Sequence, residues 1–413
     1  SVLRPAVTAA LIRPADGTPA GDLNYRFSHP RIRALLYASQ PRDDKPRRHE
    51  RITRALKSLR PRSGSGVMQL ADHLNAAVNF LDADPEQRAD VAYHNLLAAR
   101  AALTQGRFQV AYKYARCGLA VAGRDQDGAV TLELAECAAE AAFLCGDFHQ
   151  LYRVIRETRS PSSVIDEVRV RAAAVQNRLS EAQALGEAAL KRHGAHLPAR
   201  SSTAGSIALQ RVLHRLERWP RRLVRRLDRG LPTPIREVED VRVHERYRLY
   251  GYLLHVGYHL GSPRLPELAR TVSRQARRAG YAPEVAFAIA ALAVAANVRR
   301  YSEQARLLAS RFAGQGFAIR ASTLLSGLVD PWFTSLDQTL NNLTENMATS
   351  MACHDYEFAA AASAFYATNA MVRGAELGSL KQALHGQVSQ LAHYQHVTGI
   401  NITRFVLQIV NSL

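Results

Sequence analysis

AYHNLLAARAALTQGRFQVAYKYARCGLAVAG, residues Ala92 to Gly123, decides the fold. Two Ala-rich segments with helical apolar spacing flank a polar turn, Gly106-Arg107, and Phe108 opens the second segment. Alanine has the highest helix propensity, and glycine just past a helix end supplies the left-handed residue that closes it. The same layout recurs in Leu132–Glu157, with Gly146-Asp147 then Phe148, and in Val168–Gly194, with Asn177-Arg178 then Leu179. A helix pair this short cannot bury its apolar face alone, so neighbouring pairs must stack. The expected fold is therefore all-α, a tetratricopeptide-like α-solenoid, with Phe108, Phe148 and Leu179 buried between successive pairs. Ala352–Gly374 repeats the signature, with Tyr356 in the aromatic slot.

Outward from these repeats the chain divides into four parts. Residues 1–62 read as a helix end, a Gly/Pro/Asp turn, a strand near Leu23–Phe27, a helix from Pro30 and another holding Ile52, Ala55, Leu56 and Leu59 on one face. That is a helix–wing–helix layout, a short winged-helix remnant, and Arg60–Gly66 is its linker. Residues 67–198 hold the first repeats. Residues 199–262 are a basic long-helix connector, in which Pro220 breaks the helix near Trp219. Residues 263–413 are a second, more divergent set of helix pairs.

The chain has 413 residues, 47% of them hydrophobic, with 24 Gly and 17 Pro, a composition that suits a folded array rather than a disordered chain. No run approaches the twenty apolar residues of a membrane span. The chain opens on Ser and is read as a segment of a longer protein. Cys117, Cys137, Cys145 and Cys353 form no CxxC pair, as expected of buried thiols in a reducing cytoplasm. Net charge is +18, which raises nucleic acid or another anionic surface as a partner.

YRFSHPRIRALLYASQPRDDKPRRHERI (Tyr25–Ile52) carries a further pattern in Tyr25, Arg26, Phe27, His29, Ile32, Tyr37, Pro41, His49 and Ile52. It resembles the end of the winged-helix subdomain in bacterial signal-transduction ATPases with numerous domains, the STAND class. Pro30 departs from the Asp or Ala that many relatives carry. The block from Met68 to Gly123 resembles the first helical repeats that follow this ATPase. Such repeats occur in large proteins with a serine/threonine kinase in front and a histidine kinase, cyclase or transcriptional output behind. The resemblance implies that His29 approaches the nucleotide phosphates when the ATPase core is present. It also implies an ATPase and an output domain in the parent chain. This chain has no G-x-x-x-x-G-K-[ST] loop and no kinase motif, so neither a cofactor nor catalysis is expected of it.

The remaining candidates have bland counterparts. Between Arg200 and Arg229 nine arginines face Glu217 and Asp228. Arg211, Arg215, Arg218, Arg222, Arg225 and Arg229 form one stripe, opposed by an apolar face that includes Val212, Leu216 and Leu223. The stripe could track phosphates, or it could be the solvated outer face of a solenoid helix. His255 and His259 have the i, i+4 spacing of metal ligands but lack an intervening Glu and a third ligand. The adjacent residues Cys353-His354-Asp355 fit a turn better than a nucleophile set. Tyr247, Tyr250, Tyr252 and Tyr258 fit packing between helices.

The expected function is a sensor and scaffold arm of a cytoplasmic STAND-type ATPase, binding a protein or small ligand in a helical groove and gating the output. Self-association is compatible with this role. The rival is a nucleic-acid-binding transcriptional regulator using basic segments 30–62 and 200–229.

Overall fold

The computed structural model describes residues 3–14, 25–41, 44–59, 64–77, 85–122, 128–158, 162–195, 197, 230–296, 299–392 and 397–413. Among them are 19 α-helices and two three-residue strands, so the protein is all-α. The chain divides into two compact units, Ser1–Cys137 and Ala138–Leu413. The division falls inside a helix, Ala129–Leu144.

In the first unit, helix α1 (Arg4–Thr8) leads into a hairpin of β1 (Ile12–Pro14) and β2 (Tyr25–Phe27). The strands run antiparallel, with Arg13 opposite Arg26. The sequence reading had the second strand but not its partner, because Ile12–Pro14 is short and has no alternating pattern. Helices α2 (Pro30–Ala38), α3 (Asp44–Ser58), α4 (Gly64–Ala77), α5 (Pro85–Thr104) and α6 (Phe108–Ala122) follow. Helix α2 buries no residue. Helices α4 and α5 are joined by a reciprocal amide pair, Asn95 Nδ2 to Asn75 Oδ1 at 2.7 Å and Asn75 Nδ2 to Asn95 Oδ1 at 2.9 Å. The buried Asn95 amide and the part-buried Asn75 amide thus satisfy each other. Ala98, Ala99, Ala102, Ala111 and Ala115 are fully buried, and these small side chains let α5 and α6 approach closely.

Helix α7 (Ala129–Leu144) spans the division. The second unit continues with α8 (Phe148–Glu157), α9 (Ser163–Val175), α10 (Leu179–Arg192), α11 (Val241–His259), α12 (Leu265–Ala279) and α13 (Pro283–Ala296). Then come α14 (Arg299–Arg311), α15 (Gly316–Leu324), a π-turn (Leu325–Val329), a 3₁₀ turn (Asp330–Trp332), α16 (Leu336–Ala352), α17 (Tyr356–Arg373), α18 (Leu377–Ala392) and α19 (Val397–Ser412). Helix α13 is apolar on every side, and Val285 through Ala293 are all buried in the main core with Tyr247, Tyr250 and Phe317. An all-apolar helix must be covered all round. No helix among the described residues is long and apolar enough to cross a membrane.

The repeated turns have one geometry. Gly106, Gly146, Asn177 and His354 adopt φ of 70°, 71°, 58° and 59°. Gly106 N–H donates to Leu103 O at 3.0 Å, and Arg107 N–H to Ala102 O at 2.9 Å. The same two bonds form at Gly146 to Phe143 and Asp147 to Ala142, at Asn177 to Ala174 and Arg178 to Ala173, and at His354 to Met351 and Asp355 to Ser350. This is the Schellman closure of a helix end. At each of the four, the next helix starts two residues after the left-handed residue, on Phe108, Phe148, Leu179 or Tyr356. Tyr356 is buried. Phe108, Phe148 and Leu179 are half-buried, which corrects the expectation of full burial. As first residues of their helices they sit at the turn, where solvent reaches one side.

Candidate functional site

Helix α11 starts on a cap, Asp240, whose carboxylate accepts from Arg242 N–H at 2.8 Å. His244, Arg248, Tyr252, His255 and His259 then recur every three or four residues and share one face. Five other elements bring charge to that stripe. Arg248 Nη2 lies 2.7 Å from Glu167 Oε2 of α9, and His244 Nε2 lies 3.5 Å from Glu284 Oε2 of α13. Arg171, also on α9, donates to Glu140 of α7 at 2.9 Å, and its guanidinium stacks 4.3 Å from the Phe143 ring and 5.7 Å from Tyr252. Arg320 of α15 is held by Asp355 through Nε at 2.6 Å and Nη2 at 3.0 Å. Its guanidinium also lies 4.5 Å from Phe358, 5.0 Å from Phe317 and 5.3 Å from Tyr252. His255 Nε2 pairs with Glu357 Oε1 at 2.8 Å.

Burial sets the electrostatics. It pushes the Glu167 carboxyl up to about 8, with Arg248 and Arg171 opposing the rise. Desolvation works against the guanidinium of Arg320, but Asp355, Tyr252 and Glu357 outweigh it and raise its pKa. Arg171 is likewise raised, by Tyr252, Glu140 and Asp355 against desolvation. The hydrogen bond to Glu284 raises His244. Burial, with His255 beside it, lowers His259. Two buried atoms of this group, Glu167 Oε1 and Arg320 Nη1, have no hydrogen-bond partner. Arg248 and His244 remain partly open to solvent. Polar and charged pairs flanked by aromatic faces, with Arg248 and His244 partly open, can orient a polar partner group.

The sequence candidates fall elsewhere or take structural parts. His29 caps α2, its Nδ1 accepting from Arg31 N–H at 3.1 Å, and is exposed. The stripe Arg211, Arg215, Arg218, Arg222, Arg225 and Arg229, with Trp219 and Pro220, lies outside the described residues. The His255 and His259 rings meet edge to face at 4.6 Å, and no group of three or more His, Cys, Asp or Glu among the described residues could hold a metal. Cys353-His354-Asp355 is the turn described above, with Asp355 capping α17. Tyr247, Tyr250 and Tyr252 pack in the core, whereas Tyr258 is exposed. The sequence reading missed Arg171, Arg248 and Arg320. The signal available was a lone cation inside an apolar helical run, as in AIRAST (Ala318–Thr323).

No protein-family model matches the chain, and no curated protein matches it.

Proposed function

We propose that the chain is a non-catalytic, α-solenoid sensor and scaffold arm of a cytoplasmic bacterial STAND-type signalling ATPase. It binds a protein or small ligand, and binding shifts the ATPase between its states and gates an output domain. The carrying observation is the recurrence of one helix–turn–helix closure, with matching hydrogen bonds, at Gly106, Gly146, Asn177 and His354. Such recurrence supports stacked repeats, whose surfaces serve recognition. The charged stripe on α11 is the surface this reading assigns to the partner. Coupling then follows from differential affinity for the two states.

The experiment uses the intact ATPase. His29→Asn keeps a side-chain acceptor for the α2 cap and removes the imidazole. The reading expects a changed ADP-to-ATP preference with unchanged folding, and an unchanged preference would contradict the nucleotide-sensing role. Replacing Arg248 with Ala should alter ligand-dependent hydrolysis while leaving basal hydrolysis intact.

A further inference from the structure

A concave site whose lining shares no residue with the α11 stripe lies between α14, α15 with its π-turn, and α16. It is an open cleft of about 310 Å³, within the range of small-molecule sites. Its lining includes the apolar side chains of Ile319 and Leu325. Its walls are polar and carry both charge signs. Arg306 Nη2 pairs with the buried Asp330 at 2.5 Å on one side, and Glu345 and Asn346 of α16 stand on the other. The Asn346 Nδ2 donor is buried without a hydrogen-bond partner. An unpaired buried donor is costly, so its presence at a cleft wall points to a group that would accept from it.

The π-turn fixes this geometry. A π-turn inside a helix is rare and recurs at functional sites. Here it delivers Leu325 and Ser326 to the cleft, and the following Asp330 with them. Helix α17 locks it from behind. A Cβ on Gly327 would meet the Phe365 ring at 2.3 Å, and Asn369 Nδ2 donates to Gly327 O at 3.3 Å.

We propose that this cleft binds a small zwitterion of the α-amino-acid class, its carboxylate taken by Arg306 and Asn346 and its ammonium by Glu345. A purely anionic ligand would face Asp330 and Glu345, and a purely cationic one would face Arg306, whereas a zwitterion matches both walls. The inference does not rest on the ATPase reading and stands or falls separately from it.

The test is thermal unfolding of this chain with each of the standard L-α-amino acids. Matched amines lacking the carboxylate, matched acids lacking the ammonium, and glycerol and glucose serve as comparison probes. At about a hundredfold excess over the dissociation constant, at least one amino acid should raise the midpoint by about 3 °C or more. Its amine and acid analogues should bind at least about tenfold more weakly. The shift should be lost in Asn346→Leu and in Glu345→Gln, the second at an exposed position that leaves folding intact. Trp332, exposed two residues after Asp330, gives a fluorescence readout once Trp219 is replaced by Phe. Absence of any amino-acid shift, a shift that survives both substitutions, or a shift with the neutral polyols alone would overturn the proposal.

Discussion

Replacing Glu167 with Gln should remove the loss of stability that this carboxyl imposes on the second unit as pH rises. The carboxyl is 1% exposed, one oxygen is 2.7 Å from Arg248, and the other has no partner. Burial raises its pKa from 4.5 to about 8. A raised carboxyl pKa means that the folded state holds a proton that the unfolded chain has lost. Its stabilisation is fully present below about pH 4.5, declines as pH rises and is lost through about 8. At about 1.4 kcal/mol per unit, the loss between about pH 4.5 and pH 9 is on the order of 5 kcal/mol. Gln keeps the shape and cannot ionise. Near pH 5 the variant should match wild type within about 1 kcal/mol, and near pH 9 it should be more stable by roughly 3 kcal/mol or more. Urea unfolding followed by far-ultraviolet circular dichroism at several pH values measures this. A variant less stable than wild type at every pH would mean that Glu167 is ionised and stabilised by Arg248, and the reasoning would fail.

Three further expectations follow from single contacts. Gly280→Ala should cost about 2–5 kcal/mol in chemical denaturation, because φ is 102° and a Cβ would stand 2.6 Å from the Glu237 carbonyl oxygen; a neutral result would contradict the close approach. Asp355→Asn should destabilise by about 3–5 kcal/mol because it leaves the buried Arg320 guanidinium with only the more distant Glu357 carboxylate, 3.7 Å away, while Arg320→Met should cost less; equal costs would refute that ordering. His49 and His73 share one proton between Nδ1 atoms 2.7 Å apart, with Tyr37 hydroxyl on His49 Nε2, and burial lowers both pKa values. Their contribution is present above the ordinary histidine pKa and lost as pH falls through the lowered values, so amide protection of α3 should drop on acidification and lose that dependence in His73→Phe.

The legible part of this fold was local. Ala-rich periodicity and Gly106, Gly146 and Asn177 placed helix ends within a residue or two, because left-handed turn residues and apolar spacing are written in adjacent positions. The depth of Phe108, Phe148 and Leu179 was not, since burial at a helix start depends on what packs over the turn. The charged stripe was hidden for the same reason. Arg171, Arg248 and Arg320 each look like ordinary surface cations, and their carboxylate partners lie 31, 81 and 35 residues away. The cleft was equally hidden, because the residues that line it come from Arg306 to Thr349, and the close approach of Phe365 to Gly327 in the π-turn joins positions 38 residues apart.

The measurement that most directly separates a binding arm from a nucleic-acid regulator is fluorescence anisotropy of a labelled duplex with this chain, at about 50 and about 200 mM salt. The scaffold account predicts weak association that changes little when Arg211, Arg215 and Arg218 are replaced by Gln. Tight association that falls about three to five decades across that salt range, and is abolished by those substitutions, would contradict it.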